Sequence, residues 1–122
     1  MSQQPTLRKQ HIEWLRRSST KPRSSDEKRL ARAWEIARAA SQLLKEKYQV
    51  SRVRIFGSAI QSYQFHQDSD IDLAVEGLAI SDYWDALADL LFLDKEIAVD
   101  LVDPDTCPPN IWAIVEGEGI EL

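Results

Sequence analysis

The stretch RIFGSAIQSYQFHQDSDIDLAVEG, residues 54–77, constrains the fold more than any other part of this 122-residue chain. From Val50 to Phe56 apolar and polar residues alternate, with Val53 and Ile55 set against Arg52 and Arg54, which predicts a strand. Gly57-Ser58 ends it. Asp70 to Glu76 alternates again, with Ile71, Leu73 and Val75 on one face. Side chains two apart on a strand point the same way, so Asp70 and Asp72 share the other face. Two carboxylates held side by side raise each other's pKa unless a cation lies between them. Hard oxygen ligands at this spacing suit Mg²⁺, which keeps several waters and shares its sphere with phosphates. Taken alone, an acidic pair on a solvent-facing strand needs no function.

Two neighbouring features sharpen the reading. Gly57 permits close backbone approach, Ser58 brings a hydroxyl, and the following N–H groups open a short helical stretch over about 58–64. Together they form a candidate cradle for phosphate oxygens. Further on, Ile97 to Val102 predicts a third strand in which Asp100 shares a face with Ala98 and Val102, opposite Val99 and Leu101. If that strand lies beside the second, Asp100 completes a cluster of three carboxylates. Asp103 is the competing acid; it falls on the opposite face and is expected to start the turn at Pro104.

Helices supply the rest. Ser24 to Tyr48 carries Leu30, Ala33, Trp34, Ala37, Leu44 and Tyr48 at helical spacing, and Ser24 with Glu27 has the spacing of a capping box. That stripe reads as core. A second helix starts at Ser81 and is expected to turn Tyr83, Trp84, Leu87, Leu90 and Leu91 inward. A last one covers Ile111 to Glu116, closed by Gly117. Residues 1–25 read as a basic N-terminal extension, with a short helix over 7–17 broken at Pro22. Residues 26–122 read as one domain. The fold class expected is α/β, a mixed sheet packed by helices, with an N-terminal helical extension.

Charge is unevenly spread. Residues 1–54 hold 14 Lys/Arg against 5 Asp/Glu, whereas residues 55–122 hold Lys95 alone against 15 Asp/Glu. The acidic half can gather cations and the basic half can meet an acidic partner, or the halves simply screen each other. The longest apolar run is far short of the roughly 20 residues of a membrane span. The N-terminus lacks the apolar stretch of a secretory signal. Cys107 is the single cysteine and reads as a packing residue, with no internal disulfide to make. A cytoplasmic protein with no membrane partner is expected. His11 and His66 read as solvated.

The stretch 54–77, followed by IAVDLVD, resembles the minimal nucleotidyltransferases of the DNA polymerase beta superfamily. The closing EGEGIEL is similar to the ends of small members. The resemblance covers about residues 26–122. It implies that Gly57 and Ser58 bind the nucleotide, that Asp70, Asp72 and Asp100 bind metal and carry catalysis, and that Mg²⁺ is the cofactor and ATP the substrate. This chain has eleven residues between Gly-Ser and the first acid, where members typically have ten. It also lacks the arginine many members carry soon after the serine. A chain this small has no added helical domain to hold an acceptor, and so resembles the antitoxins paired with a helical HEPN-domain toxin. There the resemblance implies transfer of AMP to a tyrosine of the toxin. Two alternatives stay open: a catalytically inactive antitoxin that acts by binding alone, and an RNA-directed nucleotidyltransferase. Direct nucleic-acid binding is not expected; homo-oligomerisation is left open.

Overall fold

The structure is a computed structural model that describes residues 24–61, 65 and 69–122. The extension helix over 7–17, His11, His66 and the Ser24 side chain lie outside the described residues.

Helix α1, Ser24–Lys47, is the longest element. Its buried apolar positions are Ala33, Ile36, Ala37, Ala40 and Leu44, one stripe at steps of three and four, beside buried Ser41. Three of the five are alanines, which lets the helix lie close on the sheet. Acidic Asp26 and Glu27 open it and basic Lys45 and Lys47 close it, each complementing the helix dipole. Trp34 belongs to the stripe only in part: it packs against the core edge, and its indole N–H donates to the Ala59 carbonyl at 3.2 Å.

The sheet has four strands in the order β3-β2-β1-β4. Strand β1 is Arg52–Phe56 and β2 is Ile71–Glu76, paired antiparallel with Phe56 opposite Asp72 and Arg54 opposite Ala74. Strand β3, Val99–Val102, runs parallel to β2 with Asp72 opposite Asp100. Helix α2, Tyr83–Leu91, makes the crossover between these two, as a parallel pair requires. A short strand β4, Ile120–Glu121, pairs antiparallel with the other edge of β1.

Alternation along the strands divides the sheet into two faces. Val53, Ile55, Ile71, Leu73, Val75, Val99 and Leu101 form one, buried under α1 and α2 with Phe65. The opposite face carries a smaller cluster of Phe56, Ala74 and Val115, joined by Val102, Ile111 and Trp112. Helix α3, Pro109–Glu118, supplies Ile111, Trp112 and Val115 and covers this face in part. Proline at its first turn costs nothing, because that N–H has no helical partner. The two helices on the large face are also tied together by polar contacts: Asp89 accepts from Lys47 Nζ at 2.7 Å and from the Tyr48 hydroxyl at 2.5 Å. Among the described residues no helix is long and apolar enough to cross a membrane.

Several expectations need correction. Trp84 and Leu91 do not turn inward; they are 74% and 55% exposed, because the sheet takes only the Ala86 and Leu90 side of α2. The last helix runs past Gly117 to Glu118, since a glycine without positive φ need not stop a helix. The third strand starts at Val99, two residues late. Asp70 stands just ahead of β2 rather than in it. Strand β4 was not anticipated: two residues carry no readable period.

Candidate active site

The two acids on strands come together by register. Asp72 near the start of β2 and Asp100 near the start of β3 face each other across a parallel pair, on the face not filled by the main core. Toward the other ends of these strands the same face is taken by Ala74 and Val102 under α3. The acids therefore lie at the open end of a half-covered face. Asp100 is exposed on the edge strand, while Asp72 is half-buried.

Electrostatics confirm the crowding. The Asp72 carboxyl is pushed up to about 7, by burial first and then by the charges of Asp100 and Asp70. The Asp70 carboxyl is also raised, by burial and by Asp100, with Arg29 acting in the opposite sense. The charge of Asp100 thus acts on both Asp70 and Asp72. Among the described residues, however, no three acidic, histidine or cysteine side chains are arranged as a ready metal cage. The set is oxygen-only, the type that hard divalent ions take. The raised pKa of Asp72 reflects burial first and then the neighbouring negative charge, which such an ion would neutralise.

The Gly-Ser corner abuts the same acids. Gly57 has φ +80, the left-handed region, and a Cβ built on it would lie 2.5 Å from Asp72 Oδ2. Two independent reasons therefore require glycine there: backbone conformation and room for the carboxylate. Ser58 follows within a single 3₁₀ turn, Gly57–Ile60, closed by the Gln61 N–H donating to the Ser58 carbonyl at 3.1 Å. The turn is shorter than the helical stretch expected. Trp34 on α1 pins it through Ala59.

Asp103 stays out of the cluster. Its carboxylate accepts from the N–H groups of Asp105 and Thr106 and from the Thr106 hydroxyl, so it builds the turn as expected. Cys107 is half-buried, its thiol pushed up by burial and by Asp103, which makes it a poor nucleophile. One residue beside the cluster escaped the sequence reading. Arg29 on α1 donates to the carbonyls of Ser69 and Glu96 at 3.1 and 3.3 Å. The available signal was its position four residues before Ala33 and seven before Ile36, a charge continuing the buried stripe.

The chain is similar to known proteins in sequence and fold. A family model described as polymerase beta nucleotidyltransferase matches residues 39–122. A protein of Methanocaldococcus jannaschii, named as a protein adenylyltransferase, is 42% identical over 56% of this chain and 70% of its own length. A solved structure described as a minimal nucleotidyltransferase is 29% identical with a TM-score of 0.61, covering 76% of this chain and 95% of that one. A toxin–antitoxin structure with AMP-PNP is 25% identical with a TM-score of 0.55, covering 68% and 69%. Fold and site together define a small mixed-sheet domain of the nucleotidyltransferase class. The chain belongs to the polymerase beta nucleotidyltransferase family.

Proposed function

We propose that this chain is a Mg²⁺-dependent protein adenylyltransferase of the antitoxin kind, which moves AMP from ATP onto a tyrosine of a helical HEPN toxin. The observation that carries the reading is the facing of Asp72 and Asp100 across β2 and β3, directly against the Gly57-Ser58 corner. Support for the acceptor class comes from the relative named as a protein adenylyltransferase, and for the setting from the similar toxin–antitoxin structure with AMP-PNP.

Asp70, Asp72 and Asp100 are the residues that would hold Mg²⁺, which when bound neutralises triphosphate charge and favours the ionised acceptor hydroxyl. Gly57 leaves room for the nucleotide to approach the backbone, and the Ser58 hydroxyl donates to a phosphate oxygen. Asp100, exposed on the edge strand, takes the proton of the acceptor hydroxyl. The tyrosine oxygen bonds to the α-phosphorus as the bond to the β-phosphate breaks, and pyrophosphate leaves. Much of the rate comes from holding the acceptor in line, which is the partner's contribution.

The test is intact-mass analysis of the helical protein after incubation with this chain, Mg²⁺ and each NTP. Gain of one AMP, from ATP above the other nucleotides, is expected. A second reading, neutralisation by binding alone, is favoured by the eleven residues, 59–69, between Gly57-Ser58 and Asp70, one more than in typical members. Stable association with no added mass under any NTP would establish that reading instead.

A further inference from the structure

Asp70 and Asp100 reach the cluster from two separate approaches, the segment ending at Ser69 and the one ending at Ala98. Where the strands begin, the Ile71 N–H donates to the Ala98 carbonyl at 2.9 Å. A side chain also joins them, just ahead of that bond. The Arg29 guanidinium donates to the Ser69 carbonyl, one residue before Asp70, and to the Glu96 carbonyl, three residues before Val99. It also lies 5.9 Å from the centre of the buried Phe65 ring, in the same approach as Ser69. Its base is on α1, which packs on the sheet through the stripe that begins one turn on, at Ala33. Both bonds leave one guanidinium nitrogen, Nη2, whose two N–H groups are fixed in the plane of the group, whereas the ammonium of a lysine carries freely rotating donors on a shorter stem. Arg29 also precedes residues 39–122, the span matched by the family model.

We infer that Arg29 is a positioning residue, clamping the approaches to β2 and β3 so that Asp70 meets Asp72 and Asp100. The inference rests on the proposed metal-dependent reading. It makes a signed prediction. A bare positive charge beside Asp70 repels cations, so removing it should tighten metal binding. Removing a clamp should weaken it by misplacing a ligand, about tenfold for a group that orients a ligand. The two roles therefore shift affinity in opposite directions.

The experiment is titration of Mn²⁺ into the full chain with saturating AMP-PNP, followed by electron paramagnetic resonance, on the wild type, Arg29→Gln, Arg29→Lys and Arg32→Gln. Arg32 is the control. It sits one turn further along α1 and also ties the helix to the 92–97 loop, through Asp94 at 3.1 Å, but reaches neither acid. Both Arg29 variants should bind Mn²⁺ about tenfold more weakly, with circular dichroism spectra unchanged, and Arg32→Gln should stay within about twofold of the wild type. Tighter binding in Arg29→Gln with wild-type binding in Arg29→Lys would overturn the clamp in favour of a bare charge. Equal losses in Arg29→Lys and Arg32→Gln would reduce it to ordinary helix anchoring. Wild-type protein that binds no Mn²⁺ would instead remove the metal-dependent function itself.

Discussion

At Asp72 a single carboxyl couples stability to pH. Its native value, about 7, lies above the ordinary 3.8, so the folded chain holds the proton more tightly than the unfolded one. The stability this contributes is present below about pH 4 and is lost as pH rises through about 7. In chelator, Asp72→Asn should therefore be more stable than wild type at pH 8, by roughly 1–3 kcal/mol, with the gap closing near pH 4. Thermal melts at the two pH values check this; an Asn variant less stable at pH 8 would mean the carboxylate is a structural partner. The same substitution, and Asp100→Asn, should abolish nucleotide transfer while the fold persists, because each removes a charge from a repelling set. At Gly57, alanine would meet both the positive φ and the Asp72 oxygen 2.5 Å away. A loss of about 1–3 kcal/mol is expected, read as a lowered Tm, together with loss of transfer because Asp72 must move.

At the scale of elements, α2 carries an unusual surface. Trp84 and Leu91 lie at helical spacing on its outer side, with Ile80 in the 3₁₀ turn before it and Phe92 just after it, all more than half exposed. The sheet explains the inner side, where Ala86 and Leu90 are buried. It leaves the outer side uncovered, and grouped exposed apolar residues mark interaction surfaces. This ridge borders the candidate site: Tyr83, edge-on to Trp84 at 5.2 Å, donates its hydroxyl to the Leu101 carbonyl of β3 at 2.7 Å, one residue from Asp100. A partner that delivers a tyrosine to Asp100 would meet it. The double substitution Trp84→Ser with Phe92→Ser should weaken association with the helical protein at least tenfold in isothermal titration. Mn²⁺ binding with AMP-PNP should stay unchanged. Undiminished association would place the interface elsewhere on the molecule.

For the whole molecule, the proposed function and the charge distribution together predict that nucleotide binding is conditional on metal. Residues 55–122 carry 15 Asp/Glu against one Lys/Arg, and the acid cluster belongs to this half. A triphosphate approaching Asp70, Asp72 and Asp100 is repelled unless cations intervene. Chelation should therefore abolish transfer and weaken ATP binding at least tenfold in calorimetry, with Mg²⁺ restoring both. ATP affinity indifferent to EDTA would show that the nucleotide sits away from the acids. Basic residues are not absent from the sheet, but they are committed: Arg54 is buried, paired with Glu76 at 2.6 Å and stacked 5.5 Å from the Trp112 ring centre. Arg52 is paired with Glu121 at 2.6 Å.

Strands β1 and β2, the α1 stripe and the shared face of Asp72 with its neighbours were legible in the sequence, because period 2 and period 3.6 are local properties of a chain. The Gly57-Ser58 corner was legible too, since few residues other than glycine end a strand with positive φ. Strand order was not. Nothing in IAVDLVD says which strand lies beside it, so the facing of Asp72 and Asp100 had to wait for the register of β2 with β3. The two-residue β4 is too short to show a period. The exposure of Trp84 and Leu91 depends on how much of α2 the sheet can cover, which hydrophobicity alone does not reveal. Arg29 shows the same divide: its place on a helix follows from local pattern, but its contact with two carbonyls 40 and 67 residues away exists only once the chain has folded.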